Sequence, residues 1–378
     1  MFKKINFYLI FFVTMTMYWF LTTIIAASGM DISIIKIVLL IIGGLSFFIH
    51  WVITKFTIKE YILQILFLGF LIFVYVKSGF ENEGVLLIFP LIIGLKNVNI
   101  KKATKTMFFT LLILEILTIL FTCIGIIPYE VDTKTDAFGN TYKMIRIANA
   151  HGNSNYVPIF TMIALYLYTY YSKINLKKAL ILQIIAIVFY IFFGCRTGLI
   201  LSCLTIWSIY LSKKIKLREN SIIIKITKKL VPYSQLFLFV FVYFVAMYMT
   251  DTAFYDFLNK LVSSRILEAY TYINRYKLSP WPRNVTYYIC DNSQTYIMLS
   301  FGLIYTLINV IVYYLAIRNL LKKGKNIEVF FIIIYILYSY AEINFIKPIP
   351  NFSMLFLIYA FYPNRKVDDL NAETKGNT

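Results

Sequence analysis

Acidic residues are scarce in this chain of 378 residues: 18 Asp and Glu stand against 37 Lys and Arg, beside two histidines and four cysteines. The cysteines, at 123, 195, 203 and 290, show neither a CxxC nor a Cys/His spacing, so neither a metal–thiolate centre nor a disulfide scaffold is indicated. Cys195 and Cys290 both fall beside residues singled out below, and the plain reading of each is a small apolar helix-end residue. No internal repeat recurs at a fixed period, and no segment is of low complexity. The longer loops contain no Asp-x-Asp. A transferase that holds a nucleotide diphosphate through Mg²⁺ needs such a carboxylate pair, so no metal site and no cofactor are expected.

Apolar residues, by contrast, are abundant. They make up 60% of the chain, with a mean hydropathy of +0.73, where soluble domains sit nearer 45–50%. A spanning helix needs roughly 20 apolar residues, and about a dozen such runs can be placed. They centre on residues 5–27, 33–54, 60–76, 84–95, 106–127, 156–172, 179–194, 197–212, 230–249, 294–317, 327–345 and 348–362, the fourth and last being short. Backbone groups in lipid must bond within their own segment, so these runs are helices. The expectation is an all-α polytopic membrane protein, a single integral-membrane domain over 1–378. "MFKK" leads into a full-length apolar run and reads as the start of a first membrane helix rather than a cleavable signal.

The formal charge of +19 could point to nucleic acid, but its distribution says otherwise. The basic clusters fall on alternate connections: Lys55 and Lys59, "KNVNIKKATK", "SKINLKK", "SKKIKLRENSIIIKITKK", "RNLLKKGK" and "NRK". With the N-terminus inside, about 25 of the 37 basic residues lie in the cytoplasm, which sets twelve spans with both termini cytoplasmic. The excess charge is then an orientation and lipid-headgroup signal, and no nucleic-acid partner is expected.

Two connections are long, residues 128–155 and 250–293, both external in this topology. Loops of that length in a compact protein are usually functional or disordered, and "TYINRYKLSPWPRNVTYYICDNS" is too aromatic for disorder. Two ordered, partly helical external loops with short helices are expected. The cytoplasmic side offers short basic loops and the tail 363–378. Chemistry or recognition is therefore expected outside.

Arg196 stands in "FYIFFGCRTGLILS", a tight external turn between two apolar runs. A charged side chain deep in a bilayer costs about 2.5–3.5 kcal/mol on insertion scales. It therefore faces an aqueous cavity or an anion, unless it simply snorkels to lipid phosphates. Arg265 lies in "LVSSRILEAYTYINRYK", an amphipathic segment with serines as candidate caps. Arg146 lies in "YKMIRIANAHGNSNYVPIF". Three guanidiniums on one face would suit two phosphates, which Arg binds through paired charge-assisted hydrogen bonds. Asp291, in "YYICDNSQTYIMLSFGLIY", is a candidate base with Asn292 beside it, or else a helix cap; His151 in "NAHGNSN" is the rival base. Glu115 and Glu342 are intramembrane carboxylates, which mark ion or proton paths in transporters.

In that order these elements resemble the Wzy-type polysaccharide polymerases and the related O-antigen ligases, membrane glycosyltransferases of the GT-C class. "RIANAHGNSNY", "FFGCRTGLILS", "SSRILEAY", "DNSQTYIMLSFGLIYTL" and "YAEINF…PNFSMLFLIYAF" carry the resemblance, over roughly residues 140–362. The resemblance implies a GT-C-like bundle in the cytoplasmic membrane with an external active site. Its implied substrates, donor and acceptor, are undecaprenyl-diphosphate-linked oligosaccharides. A glycan leaves one carrier and joins a sugar hydroxyl of the next repeat unit, with a chain-length regulator as a further partner. By position, Arg196 and Arg265 would grip the donor diphosphate and Asp291 would accept the proton. Asn292 and Asn155 would position sugar, with Arg146, His151 and Glu342 supporting. Ligases of the family commonly have histidine where this chain has Asp291. The rival readings are a lipid-linked oligosaccharide flippase or transporter, and an O-antigen-type ligase.

Overall fold

The computed structural model describes residues 6–24, 29, 31–79, 82–135, 141–147, 156–212, 222–250, 252–261, 264–285, 291–340, 342 and 349–365. They are mostly helical. In chain order the elements begin α1 (Phe7–Ile24), α2 (Ser33–Ile53), α3 (Ile58–Ser78), α4 (Gly84–Ile93) and α5 (Ile100–Cys123). A hairpin β1 (Tyr129–Thr135) and β2 (Thr141–Ile147) follows, then α6 (Tyr156–Tyr171), α7 (Leu176–Phe193) and α8 (Arg196–Ser212). Beyond these come α9 (Ile222–Leu230), α10 (Ser234–Tyr248), α11 (Ala253–Leu261), α12 (Arg265–Tyr276), α13 (Ser293–Tyr296), α14 (Gly302–Lys322), α15 (Asn326–Ser339) and α16 (Ile358–Phe361).

Among the described residues seven stretches are long and apolar enough to cross a membrane: Phe7–Ile24, Ser33–Ile53, Ile58–Ser78, Ile100–Cys123, Leu176–Phe193, Lys225–Tyr248 and Ser293–Lys322. The chain is thus a polytopic helical membrane protein. The remaining apolar runs form shorter helices, among them α4, α6 and α15. Ile37, Ile41, Leu45 and Val52 of α2 and Ile62, Leu66 and Val76 of α3 face outward, an apolar surface that only lipid can cover at low cost. Local signals start the helices. Thr57 and Glu60 form a capping box at α3, the Glu60 amide donating to Thr57 Oγ1 (3.3 Å) and the Thr57 amide to Glu60 Oε2 (2.6 Å), which meets two otherwise orphaned N–H groups. Asn99 and Asn175 cap α5 and α7.

The expectation of short helices in both long connections is corrected for the described part of the first: β1 and β2 pair antiparallel, with Glu130 opposite Arg146 and Asp132 opposite Met144. "YEVDTKT" and "TYKMIRI" alternate polar and β-branched or apolar residues, a period-2 pattern that fits a strand better than a helix. The second loop is helical as expected, in α11 and α12.

The described helices separate into two compact units, residues 1–55, 97–216 and 367–378 in one, and 56–96 and 217–366 in the other. In the first, α1 packs on α2 and α5, and α6 lies against α5, α7 and α8. Phe160 of α6 meets Trp19 and Phe20 of α1, ring centroids 4.2 and 4.5 Å apart. Helix α6 is buried around almost its whole circumference, as a helix apolar on all sides should be.

In the second unit, amphipathic α12 docks Ile266, Ala269 and Ile273 against Val245 and Ala246 of α10 and Leu299. Burying each isoleucine contributes about 1.5–3 kcal/mol. The last long helix is interrupted: Ile297–Phe301 form a π turn, and Gly302 has φ +81°. The loop after α12 fills the break. The Leu303 amide donates to the Ser279 carbonyl (2.9 Å), and the Arg283 amide donates to the Ser300 carbonyl (3.0 Å). A Cβ on Gly302 would stand 2.6 Å from the Trp281 carbonyl carbon, so both the φ angle and the approach require glycine.

Candidate functional site

The second unit gathers Arg265, Asp291, Asn292 and Glu342. Ser264 immediately precedes α12 in the left-handed region (φ 68°) and makes no capping bond with its side chain. That corrects the expected serine cap. Asn259 of α11 does the work instead, its Oδ1 accepting from the Leu267 amide at 3.1 Å. A non-glycine residue at positive φ persists only where its surroundings hold it, and here the turn sets the direction of Arg265, the first helical residue. Its Nη2 lies 3.0 Å from Asp291 Oδ2 and 3.7 Å from Glu342 Oε1; the side chains of Arg265, Asp291 and Glu342 are 15%, 29% and 6% exposed.

Glu342 is brought in by stitching between two segments. Asn292 Nδ2 donates to the Tyr340 carbonyl (2.9 Å), Ser293 Oγ to the Glu342 carbonyl (2.5 Å), and Gln294 Nε2 to Ser339 Oγ. Asn292 Oδ1 also accepts from the Thr295 amide at 2.9 Å and caps α13. The buried Asn292 amide is therefore committed to backbone at both ends, and the cap alternative applies to it. Asp291 remains partly exposed, against the guanidinium.

Glu268, one turn along α12, is a member of this cluster that sequence reading passed over. Burial and the neighbouring Asp291 charge push its carboxyl above the usual value, against the opposing pull of Arg265 and a backbone hydrogen bond from Asp291. The signal was present: position i+3 from Arg265 lies on the same helix face. One guanidinium thus faces three carboxylates. An arginine so surrounded has its charge largely balanced by these neighbours.

The first unit holds Arg146 and Arg196. Arg146 pairs with Asp132 across the hairpin, a diagonal neighbour in the register, and β2 packs against α7. Gly194, left-handed at φ 67°, ends α7, and Arg196 opens α8 half-buried, with Cys195 buried beside it. A cation at a helix N-terminus works against the helix dipole, whereas the N-terminal N–H groups and the guanidinium together suit an anion. Deeper in this unit Glu115, 7% exposed, accepts a hydrogen bond from Thr161 Oγ1 at 3.0 Å. A cavity of about 20 Å³, lined by Thr161, Met162, Tyr190, Cys195, Gly198 and Ser202, has room for about one water.

His151 and Asn155, and Cys290, lie outside the described residues. Among the described residues no group of three or more His, Cys, Asp or Glu has a geometry that would hold a metal ion.

No family model, curated protein or solved structure matches this chain. The chemistry must be argued from the groups themselves. A carboxylate presented by a guanidinium at the start of a long apolar helix can accept a proton from a bound hydroxyl. An arginine at a helix N-terminus can stabilise a departing anion.

Proposed function

We propose that this chain is an integral-membrane glycosyltransferase that polymerises undecaprenyl-diphosphate-linked oligosaccharide repeat units at the outer face of the cytoplasmic membrane. The resemblance to the Wzy-type polymerases motivates the reading, with twelve spans and both termini cytoplasmic. The observation that carries it is the 3.0 Å contact between Arg265 and Asp291 with Glu342 behind it. In the reaction the acceptor hydroxyl oxygen bonds to the anomeric carbon of the donor glycan, the bond from that carbon to the diphosphate breaks, and Asp291 takes the hydroxyl proton. The diphosphate leaves as an anion, the group for which the resemblance assigns Arg196 and Arg265. Arg265 holds Asp291 in place, and Glu342 holds Arg265.

The test uses Asp291→Asn, Arg196→Ala and Arg265→Ala in cells, with protein levels checked in the membrane fraction. Each variant is expected to lose long-chain polysaccharide. Normal polymer from all three at normal expression would refute the assignment. Arg196→Lys is expected to fail as well, because an ammonium cannot make the paired hydrogen bonds.

A carrier of the same lipid-linked units is the second reading. The interrupted helix at Ile297–Gly302 and the buried Glu115 favour it, since transporters use broken helices and intramembrane carboxylates. Purified protein separates the two: elongation of lipid-linked units in detergent identifies the enzyme, and bound but unchanged substrate identifies the carrier.

A further inference from the structure

We infer that α9 is an interfacial helix that docks on an anionic lipid surface beside the entry of α10. The inference concerns the second unit, needs only the membrane character of the chain and is independent of the proposed chemistry. Helix α9, "IIIKITKKL", sorts its residues by chemistry. Lys225, Lys228 and Lys229 stand at i, i+3 and i+4 on one side of the helix, while Ile226 and Leu230, four apart, share another. The three lysines are exposed, and so are Ile226 and Leu230, at 51% and 49%. Single exposed isoleucines are ordinary. A short helix with a basic side and an apolar side instead matches a boundary that is anionic on one side and apolar on the other.

Chain lengths place α9 at that boundary. Pro232 has no N–H to give the Lys228 carbonyl, and a single 3₁₀ turn, Val231–Tyr233, separates α9 from α10. The 15 residues of α10 and the 3 of the turn together rise about 28 Å, at ~1.5 and ~2.0 Å per residue. A hydrocarbon core is about 30 Å thick, so α10 and its turn cross it without α9. The apolar stretch Lys225–Tyr248 thus overruns the span at its start. Three lysines would be costly inside the core, and at headgroup depth they are favourable.

The charge around α9 has the sign that such a surface requires. Residues 213–233 carry seven Lys and Arg against one acid, Glu219; of these, 213–221 lie outside the described residues. Tyr233 packs on Tyr314 of α14, ring centroids 5.0 Å apart. Exposed Arg318, one turn further along α14, is near enough for its charge to act on the Tyr233 hydroxyl. A cation from a second helix therefore stands close to the lysines of α9. Acids are present at this end as well: Glu60 pairs with Lys96 at 2.8 Å, and Glu328 lies in the first turn of α15. Among the described residues, however, no ion pair joins an acid to Lys225, Lys228 or Lys229. The rival occupant is the tail of the chain, whose Asp368, Asp369 and Glu373 lie outside the described residues. That tail, "KVDDLNAETKGNT", is polar apart from Val367, Leu370 and Ala372, so it answers the lysines and not the apolar side. A lipid surface answers both.

The full chain is placed in nanodiscs of phosphatidylcholine, alone or mixed with phosphatidylglycerol, and amide hydrogen exchange is followed over residues 222–233. Exchange there is expected to be slower with phosphatidylglycerol. The excess protection should fall roughly fivefold for each of Lys225, Lys228 and Lys229 replaced by Gln. All three are exposed, so exchange in α14 should stay unchanged and reports an intact fold. Ile226→Ser with Leu230→Ser is expected to lose protection in both lipids. The control, Lys101→Gln with Lys102→Gln, replaces two exposed lysines at the start of α5 and should leave exchange over 222–233 as in wild type. Equal exchange in the two lipids, equal loss in the control, or protection that survives Ile226→Ser with Leu230→Ser overturns the docking. Protection that is independent of lipid and lost when Asp368→Asn, Asp369→Asn and Glu373→Gln are combined would assign the lysines to the tail, and overturns it as well.

Discussion

Replacing Arg265 by glutamine tests the organisation of the candidate site directly. The change removes the cation that stands 3.0 Å from Asp291 and 3.7 Å from Glu342 and keeps a polar side chain of similar length. At separations of this order each pair attracts by about 4 kcal/mol in a surrounding of effective dielectric constant 20. Most of that is offset by desolvation, and Asp291 is partly exposed. Breaking a fully buried pair costs about 3–5 kcal/mol, whereas an exposed pair contributes about 0–1 kcal/mol. This cluster lies between, so the expected loss of stability is about 2–3 kcal/mol, most of it from removing the guanidinium beside the buried Glu342. Glu342→Gln in the Arg265→Gln background should then restore about 1–2 kcal/mol, as a double-mutant cycle registers for groups in contact. The assay is chemical or thermal unfolding of the purified full chain in a fixed detergent, with Arg275→Gln, an exposed position on the same helix, as reference. If Arg265→Gln unfolds no more easily than Arg275→Gln, or if the cycle shows no coupling, the cluster does not hold the site together.

Glu268→Gln should change how stability depends on pH. The Glu268 carboxyl is pushed above its usual value, chiefly by burial. The native state therefore favours its protonated form, and its contribution to stability is complete below the unfolded-state value and falls as pH rises through the native one. The variant should match wild type near pH 4 and gain on it toward neutrality; a constant difference across that range would be the wrong result. Gly302→Ala should destabilise by about 1–3 kcal/mol, since it combines a disfavoured φ with a backbone clash, and limited proteolysis should then cut within residues 277–285 faster than in wild type. Unchanged cleavage would mean the loop does not depend on the helix break. Ile273→Ala on α12 should cost about 2–5 kcal/mol in the same unfolding assay, whereas Thr271→Ala, on the exposed face of that helix, should cost under about 0.5 kcal/mol; similar losses would show that α12 is not docked through its apolar face.

Much of the architecture was legible because it follows from hydropathy and local caps. Most of the apolar runs carry helix among the described residues, and Thr57, Asn99, Asn175 and Asn292 mark starts with their own side chains. The pairing of β1 with β2 does not follow from the composition and length of that connection; only its period-2 alternation carries it. The pairing of Arg146 with Asp132 depends on strand register, which sequence spacing does not reveal. The side-chain amide of Asn292 accepts from the Thr295 amide and donates to the Tyr340 carbonyl, the latter a contact across 48 residues that no local signal reveals.

By itself the sequence determined that this is a helical membrane protein, that its helices begin and end near stated residues, and that Arg265, Asp291 and Glu342 were worth attention. These follow from the free energy of transferring side chains into lipid and from hydrogen bonds within a few residues, both of which are local. The tertiary structure alone decided that Arg265 meets Asp291 and Glu342, that Glu268 joins them, and that Lys323, Lys325 and Arg365 crowd one tyrosine. Those facts depend on which distant segments share a few ångströms, and electrostatic interaction between charged groups is set by that distance, not by their order along the chain.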